Sequence, residues 1–364
     1  MKIALVHDYL SQDGGAERVL KVFSEIWPEA PIFVLFYDRE KLTQFNNSDV
    51  RESFLAKIPF IKDHYQWTLP FMPLATEYHN LKDFDIVLSS SSAFAKGVIT
   101  DPETVHISYC HTPTRYLWTD THEYIANLKY NKLIKLALPR VIHKMRIWDR
   151  TSADRVDKFI ANSKVVQKRI KKYYGRNSEV IYPPINVDKF YVSDEIGDYF
   201  ISGGRMVSYK RFDLIVQVFN RLGWPIKIFG DGPELEKLKQ HSKLNIEFVG
   251  RISDDEKSRL LSRARAFIHP QIEDSGITPL ESIASGRPVI AYAKGGVLET
   301  VQEGKTGTFF YEQTWEALMH TLLNFDDRIW SGKEIRASAE GFSERIFKEK
   351  IKSLIEDEYS RILS

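Results

Sequence analysis

Two glutamates, Glu273 and Glu281, form the first candidate site in this 364-residue sequence. Glu273 lies in a polar loop after a short apolar run, and Glu281 follows a Thr-Pro pair that is typical of a helix start. We expect Thr278 to cap that helix and Glu281 to lie in its first turn. Unpaired N–H groups at a helix start attract phosphate, and a carboxylate there accepts hydrogen bonds from ribose hydroxyls. The pattern predicts a nucleotide site; ordinary charge stabilisation of a helix start is the alternative.

A glycine pair followed by basic residues comes directly after another predicted strand. Gly203 and Gly204 let the backbone approach a ligand closely. Arg205 offers a planar fork for phosphate oxygens, and Lys210 adds a point charge. A nucleoside diphosphate leaves a sugar poorly unless its charge is compensated, and these two cations would compensate it. A solvated basic loop is the alternative.

Three further loops after predicted strands contain glycine. The loops at Gly230–Gly232 and Gly250–Ser253 are suited to holding a base, although turn formation alone explains each of them at least as well. The amides of Gly295 and Gly296 could add to a phosphate site, or the two glycines only make the turn.

The N-terminal half contains two candidate segments. Gly14 and Gly15 open the first predicted helix, but they are not the dinucleotide-binding fingerprint, because the third glycine is missing. The turn can still bring backbone against a sugar or a phosphate. Farther along, His111, Arg115 and Trp118 follow a predicted strand. Hydroxyl groups need bifunctional partners and sugar rings need flat apolar ones, so this cluster suits sugar binding. A lone histidine is more often structural.

Short apolar runs alternate with helical periods through both halves, which predicts parallel βαβ units with both sheet faces covered. The alternation stops at Pro183-Pro184, which cannot continue a helix or a central strand. We therefore place a hinge at residues 181–186 and boundaries at 1–182, 183–342 and 343–364. The expected fold is α/β, with two Rossmann-like doubly wound domains facing a cleft. The predicted strands are Lys2–Val6, Ile32–Phe36, Ile86–Ser89, Thr104–Tyr109, Phe159–Asn162, Tyr199–Ser202, Ile226–Phe229, Ile246–Val249, Ala266–His269 and Pro288–Ala291.

The composition is that of an ordinary globular protein, and a net charge of +2 gives no general signal for nucleic acid. A single cysteine, Cys110, excludes an intramolecular disulfide framework and a thiolate metal cluster. No signal peptide is visible, and no apolar stretch approaches the roughly 18 residues that span a bilayer, so we expect a cytoplasmic protein.

Residues 127–150 interleave many basic side chains with apolar ones, and an aromatic run covers residues 60–72. These two segments are consistent with a peripheral patch at the inner face of the membrane. The alternative is a helix whose long basic stems cover a protein core.

With these residues assembled, the chain resembles the family 4 retaining glycosyltransferases of the GT-B fold. The motifs around His111 and Glu273 are most similar to those of bacterial mannosyltransferases that build surface polysaccharides from GDP-mannose. The resemblance rests on Val6–Tyr9, Gly14-Gly15, His111, Asn162-Ser163, Pro183-Pro184, Gly204-Arg205, Lys210, Glu273 and Glu281.

The resemblance implies roles for the candidate residues. Glu281 would bind the ribose, Arg205 and Lys210 the diphosphate, and Glu273 and His111 would lie near the transferred sugar. The implied catalytic positions are Glu273, His111, Arg205 and Lys210. The implied donor-binding positions are Gly14, Gly15, Gly204, Arg205, Lys210, Arg251, Ile252, Glu273, Ser275, Gly276, Ile277, Thr278 and Glu281. The implied acceptor-binding positions are His111, Arg115 and Trp118.

The resemblance also implies that the N-terminal domain binds a glycan or lipid-linked acceptor, that the C-terminal domain binds the nucleotide sugar, and that the last helix crosses back to the first domain. It implies no metal and no cofactor beyond the nucleotide-sugar co-substrate. Two positions depart from the family pattern: Ser275 replaces a usual aromatic residue, and Arg211 replaces a glycine found in many members.

Four other functions remain as alternatives: a hexosyltransferase that uses a UDP-sugar, a nucleotide-sugar epimerase, a glycogen-type phosphorylase, and a sugar- or lipid-binding protein without catalysis. A phosphorylase needs a pyridoxal lysine, for which the sequence offers no context. Keeping both glutamates together with Arg205 and Lys210 argues against a silent binding protein.

Overall fold

The computed structural model describes residues 1–58, 68–122, 125 and 132–363. It divides the chain into two units, Met1–Tyr182 with Phe347–Ser364, and Pro183–Ile346. The division therefore falls immediately before the two consecutive prolines.

The first unit is built around a parallel sheet, as the alternation of apolar runs predicts. Its strand order is β3-β2-β1-β4-β5-β6-β7, and every neighbouring pair is parallel. The strands are β1 (Ile3–His7), β2 (Ile32–Val34), β3 (Val50–Glu52), β4 (Ile86–Ser91), β5 (Val105–Cys110), β6 (Lys158–Ala161) and β7 (Ser178–Val180). The helices are α1 (Gly15–Ile26), α2 (Met72–Glu77), α3 (Arg115–Trp118), α4 (Lys132–Ser152) and α5 (Lys164–Tyr174).

The second unit repeats the arrangement with the strand order β10-β9-β8-β11-β12-β13, again all parallel. The strands are β8 (Phe200–Gly203), β9 (Ile226–Phe229), β10 (Ile246–Gly250), β11 (Phe267–His269), β12 (Val289–Tyr292) and β13 (Gly307–Phe310). The helices are α6 (Phe212–Leu222), α7 (Leu235–Gln240), α8 (Asp254–Arg263), α9 (Ile277–Ala284), α10 (Val297–Thr300), α11 (Trp315–Leu323) and α12 (Gly332–Ala339). The prediction of two doubly wound α/β domains is confirmed.

The last helix, α13 (Glu344–Leu363), contributes its apolar face to the core of the first unit. Phe347, Ile351 and Ile355 are buried there, and the ring of Phe347 stacks on that of Phe23 at a centroid distance of 5.8 Å. This packing explains why the C-terminal residues belong with the N-terminal sheet.

Each sheet has one point at which the chain reverses the direction of strand addition. In the first sheet this switch lies between β1 and β4, and in the second between β8 and β11. Loops that follow two strands at a switch point diverge to opposite faces of the sheet and leave a crevice at the carboxyl edge, where open α/β sheets bind ligands. The fold therefore places the candidate ligand-binding residues in the loops that follow β1 and β4 in the first unit and β8 and β11 in the second.

Candidate functional site

Lys210 and Glu273 meet at the switch point of the second sheet. Lys210 ends a short 3₁₀ helix, Ser208–Lys210, in the loop after β8, and Glu273 lies in the loop after β11. The Lys210 Nζ lies 2.8 Å from Glu273 Oε1. Burial by itself raises the pKa of Glu273, but the charge and hydrogen bond of Lys210, together with the effects of His269 and Gln271, outweigh burial and leave that pKa below its usual value. Burial lowers the pKa of Lys210, and the charge and hydrogen bond of Glu273 raise it above its usual value overall. Both groups are therefore ionised at neutral pH.

Glycines allow the loops around this ion pair to pack closely. Gly204 has φ 128° and a Cβ there would lie 3.1 Å from the Lys210 Nζ. At Gly230, which follows β9, a Cβ would lie only 2.0 Å from the carbonyl oxygen of Gly204. The glycines at these strand ends therefore have a definite role, which is to let two adjacent loops approach backbone to backbone.

The loop that contains Glu273 is held by the loop after β12. The amide of Gly296 donates to the carbonyl oxygen of Glu273 at 2.8 Å. A Cβ at Gly295 would lie 2.5 Å from the same oxygen, and one at Gly296 would lie 2.3 Å from the carbonyl oxygen of Asp274. The structure thus gives this glycine pair a role that neither interpretation included, which is close packing against residues 273–275.

The start of helix α9 differs from the prediction. The helix begins at Ile277, its N-cap is Gly276 with φ 69°, and no acidic residue lies in its first turn. The expectation that Thr278 caps the helix and that Glu281 lies in the first turn is therefore wrong. A left-handed cap favours glycine, and with Gly276 as the cap the helix starts two residues earlier than the Thr-Pro pair indicates. The N–H groups of residues 276–278 still lie at a helix start.

Glu281 is buried and paired with Lys257, a residue of helix α8. The Lys257 Nζ lies 2.8 Å from Glu281 Oε1 and 3.2 Å from Asp254 Oδ1. Both members of the Lys257–Glu281 pair are less than a tenth exposed. Sequence reasoning missed Lys257, because an isolated lysine in a charged helical segment carries no signal of its partner.

The other donor-side candidates lie around this region of the second unit. Arg205 is exposed, as is Arg251, whose guanidinium lies 3.2 Å from Asp231 Oδ2. Ile252 packs against the apolar core. Ser275 is half-buried beneath Gly296, and a Cβ added to that glycine would meet the Ser275 Cα at 2.8 Å.

His269 and Gln271 were not among the predicted site residues, although they flank the Glu273 loop. His269 ends β11 and is fully buried, and neither of its ring nitrogens has a hydrogen-bond partner among the described residues. Burial lowers the pKa of His269 to about 4, so its ring is neutral. A buried imidazole without a hydrogen-bond partner is unusual, and this one ends the strand that leads into the Glu273 loop.

In the first unit, His111 belongs to a line of polar side chains at the switch point. Its Nε2 lies 2.8 Å from the Ser90 Oγ at the end of β4. Ser90 in turn lies 3.1 Å from Nδ1 of His7, the last residue of β1. His7 Nε2 lies 3.8 Å from Glu17 Oε1 in helix α1. Gly14 is the N-cap of that helix and Gly15 its first residue, as expected for a turn that opens the helix.

Asp8 shapes the same edge of the first sheet. Its carboxylate accepts hydrogen bonds from the backbone amides of four successive residues, Ser92 to Ala95, at 2.7–2.9 Å. A carboxylate satisfied in this way fixes the loop after β4 against the end of β1. Asp8 therefore has a structural role.

Arg115 and Trp118 make contacts inside the first unit. Arg115 pairs with Asp120 at 2.7 Å. The indole N–H of Trp118 donates to buried Asp149 at 2.7 Å, and its ring stacks on Tyr173 at a centroid distance of 4.9 Å. One ring face and the N–H of Trp118 are thus already engaged within the protein.

Among the described residues, no group of three or more His, Cys, Asp or Glu side chains is arranged to hold a metal ion. In the same part of the chain, no helix is both long and apolar enough to cross a membrane.

Two family descriptions together account for most of the chain. Residues 13–189 match the family described as "Glycosyltransferase Family 4", and residues 187–325 match "Glycosyl transferases group 1". The chain belongs to the glycosyltransferases that these two descriptions together define. The resemblance read from the motifs is confirmed at this level.

Curated relatives and a solved structure agree with the family. The chain is 30% identical over 277 residues to alpha-1,3/1,6-mannosyltransferase ALG2 of Mus musculus, covering 65% of this chain and 64% of the relative. It is 24% identical over 225 residues to the O-antigen chain mannosyltransferase RfbU of Salmonella typhimurium, covering 57% and 58%. The chain thus spans less than two thirds of the length of these relatives.

The structure of Anabaena Alr3699/HepE in complex with UDP and glucose superposes with a TM-score of 0.71 at 16% identity, covering 98% of this chain and 99% of that one. At this identity the likeness shows the fold, which is GT-B.

Proposed function

We propose that this chain is a retaining glycosyltransferase that moves a hexose from a nucleotide sugar to a glycan or a lipid-linked acceptor without a bound metal. The preferred donor is GDP-mannose, from which mannose is transferred. The observation that carries the proposal is the ionised Lys210–Glu273 pair, which lies beside Gly204 at the switch point of the second sheet. The two mannosyltransferase relatives support the choice of sugar.

In this proposal, the second unit binds the donor. Lys210 and Arg205 compensate the charge of the leaving diphosphate, and the amides at Gly276–Thr278 add positive potential from the start of α9. Glu281 accepts hydrogen bonds from the ribose hydroxyls, held in place by Lys257. The bond between the anomeric carbon and the diphosphate oxygen breaks, and the acceptor oxygen forms its bond on the same face. The proton of the acceptor hydroxyl passes to the departing diphosphate.

Glu273 is an unsuitable general acid in this reaction, because its pKa lies below the usual value. A covalent route would need a carboxylate on the opposite face of the sugar from the leaving group, as in retaining glycosidases. The tight contact of Glu273 with Lys210, a phosphate-side cation, favours same-face attack over a covalent intermediate. The proposed part of Glu273 is to orient Lys210 and to contact the sugar.

The first unit is proposed to bind the acceptor and one side of the sugar, with His111 and the Gly14-Gly15 turn as the principal contacts. Arg115 is half-buried and could bind a polar group of the acceptor by exchanging its contact with Asp120. Trp118 offers only the ring face that Tyr173 leaves uncovered.

A second donor class is a UDP-hexose. The structure of HepE, which shares the fold, contains UDP and glucose. Ser275 replaces the aromatic residue that is usual in the family. The motif around this position therefore does not determine which sugar the pocket binds.

We also propose that the first unit contacts anionic membrane surfaces. Helix α4 buries Leu138, Ile142 and Met145 against its own unit and exposes Arg140 and Lys144. Phe71, Leu74 and Tyr78 are exposed in and beside helix α2, whose Glu77 accepts a hydrogen bond from Trp148 of α4. Residues 60–67 and 127–131 of the segments predicted to form this patch lie outside the described residues. Co-sedimentation of the purified protein with phosphatidylglycerol vesicles tests this patch; equal recovery with neutral vesicles would contradict it.

The decisive experiment for the enzyme is a thermal-shift and calorimetry panel of GDP-mannose, UDP-glucose and ADP-glucose. Selective stabilisation by one donor is expected, and Lys210→Ala should abolish it. The matched control is Lys305→Ala, which removes an exposed lysine of the same unit, away from the switch point. If none of the three donors stabilises the wild-type protein, the proposed function is wrong. NMR of the product's anomeric proton then tests retention.

A further inference from the structure

Glu17, His7, Ser90 and His111 form a continuous line at the carboxyl edge of the first sheet, which we call the histidine relay. Consecutive members are 3.8, 3.1 and 2.8 Å apart. Glu17 and His7 are less than a tenth exposed, and Ser90 is fully buried. His111 is partly exposed at the end of the line. The relay was not visible in the sequence, because its members lie on β1, α1, β4 and the loop after β5.

The positions of the protons follow from the hydrogen-bond partners. Nδ1 of His7 lies 3.0 Å from the backbone carbonyl oxygen of Ser90, which can only accept, so Nδ1 must carry a proton. Nε2 of His7 faces the Glu17 carboxylate. Burial lowers the pKa of His7, but Glu17, with a smaller effect of Asp8, outweighs burial and raises that pKa above 6.5.

Ser90 connects this arrangement of protons to His111 through a second hydrogen bond. Its hydroxyl oxygen lies within reach of the Nδ1–H of His7, so its own proton is available for the Nε2 of His111. An Nε2 that accepts a hydrogen bond carries no proton. Burial, and then the nearby His7, lower the pKa of His111 to about 3, so its ring is neutral. A neutral ring with a bare Nε2 carries its single proton on Nδ1.

We propose that Glu17, His7 and Ser90 are positioning residues that hold His111 as the Nδ1–H tautomer, so that it presents a hydrogen-bond donor to an oxygen atom of the bound sugar. The inference rests on the proposed function in one respect, the placement of His111 beside the sugar. Among the described residues, the hydrogen bond of the His111 ring is the one at Nε2, so the Nδ1 donor remains for a ligand. The relay thereby selects substrates with an acceptor oxygen at that position.

The sheet supplies a matched control one residue away. Ser89 Oγ lies 2.9 Å from the Nε2 of His106, so a second serine–histidine bond connects β4 to β5. Both of these residues are fully buried, and His106 takes no part in the relay. Ser89→Ala therefore removes the same chemical contact from the same strand without touching His111.

The test compares transfer by Ser90→Ala with transfer by Ser89→Ala. Ser90→Ala should lower kcat by about tenfold or more, because about nine tenths of the neutral rings or more would then carry the proton on Nε2; Ser89→Ala should retain at least half of kcat. His111→Asn places an amide N–H where Nδ1 lies and makes the donor independent of Ser90. Adding Ser90→Ala to His111→Asn should therefore cause no further loss. An equal loss in both serine variants, or a full additional loss in the double variant, would overturn the proposal.

Measuring the tautomer of the His111 ring tests the inference directly and does not depend on enzyme activity. Long-range ¹H–¹⁵N correlation spectra of protein labelled with ¹⁵N-histidine distinguish Nδ1–H from Nε2–H rings, and the His111→Asn spectrum assigns the signal. Wild type should show His111 as Nδ1–H, and Ser90→Ala should shift it toward Nε2–H. Should Ser90→Ala not fold, Ser90→Cys keeps the size and weakens the hydrogen bond. An Nε2–H ring in the wild type, or an unchanged ring in the variant, refutes the relay even if the protein transfers sugar. The predicted tautomer in a protein without transfer would instead refute the proposed function alone.

Discussion

Nζ of Lys210 lies 2.8 Å from Oε1 of Glu273, and the two side chains come from loops after β8 and β11, the two strands at the switch point of the second sheet. The two side chains are 14% and 20% exposed, so a ligand can reach the pair. An anionic diphosphate would compete with the Glu273 carboxylate for Lys210. The same contact that orients Lys210 therefore weakens its attraction for the ligand.

The first prediction concerns that competition. Glu273→Gln removes the negative charge and keeps the shape of the side chain, so it should bind GDP or UDP about tenfold more tightly, equivalent to about 1.4 kcal/mol. Transfer should nevertheless slow, because Lys210 loses the partner that orients it. Isothermal titration calorimetry measures the affinity. Weaker binding by Glu273→Gln than by wild type would show that Glu273 holds the nucleotide directly.

The second prediction concerns the buried Lys257–Glu281 pair. Lys257→Met leaves the Glu281 carboxylate without this cation and should reduce the free energy of unfolding by about 3 kcal/mol, because one partner of a buried pair is left behind. Lys257→Met combined with Glu281→Gln should recover most of that loss, since the uncompensated charge is gone. Denaturant unfolding of the single and double variants measures this.

The same set of variants separates stability from ligand binding. If Glu281 contacts the ribose, Glu281→Gln and the double variant should both bind the nucleoside diphosphate at least tenfold more weakly, although the double variant is stable. Wild-type affinity in the stable double variant would exclude Glu281 as the ribose ligand.

The third prediction concerns Arg211, which has φ 55° and precedes helix α6. Side chains are strained in this left-handed region, and glycine is not. Arg211→Gly should therefore be more stable than Arg211→Ala by about 1 kcal/mol. Both variants lose the exposed contact with Asp213, so the comparison isolates the backbone. Equal unfolding free energies for the two variants would contradict the assignment of strain.

The fourth prediction concerns pH. Burial lowers the pKa of His106 and His111 to about 3 and that of His79 and His269 to about 4, from 6.5 in the unfolded chain. Below pH 6.5 the unfolded chain binds protons that the folded chain does not, so the stabilisation present above pH 6.5 is lost as the pH falls toward 3–4. Urea unfolding between pH 6.5 and 4.5 should show this decline.

His106→Gln tests the contribution of one of these histidines. Glutamine can retain the hydrogen bond to Ser89 and does not titrate. The variant should flatten the decline by about 1.4 kcal/mol per pH unit, the contribution of a single proton. The slope of the wild type and that of the variant should differ over this interval; identical slopes would mean that His106 is protonated in the folded protein.

The central strands could be predicted, and three of the four edge strands could not; the exception is β10 (Ile246–Gly250). Residues 226–229 form a strand with the predicted bounds, because three of its four residues are apolar and buried, as is expected for a central parallel strand. The missed strands β3, β7 and β13 lie at sheet edges. An edge strand has only one neighbouring strand, and segments such as Val50–Glu52 carry polar residues and no apolar run.

Motif reasoning found the loops but misplaced the helix start at Gly276. Thr-Pro is a common way to begin a helix, and nothing local in the sequence shows that a left-handed glycine two residues earlier is used instead. That choice depends on the packing of the loop, in which the Gly296 amide holds the Glu273 carbonyl.

The sequence by itself determined the fold class and the loops that carry charge, because apolar periodicity and glycine placement are local properties of the chain, and its motifs carried the resemblance to the family. Only the tertiary structure decided which charges meet. Lys210 faces Glu273, Lys257 faces Glu281, and His7 reaches His111 through Ser90, over separations of tens to about a hundred residues. These partners are set by strand order, since a crossover connection brings distant residues to one edge of a sheet. Glu273, Glu281 and Lys210 were recognisable as chemistry in the sequence; Lys257, and the pairing of each glutamate with its lysine, were visible only in the fold.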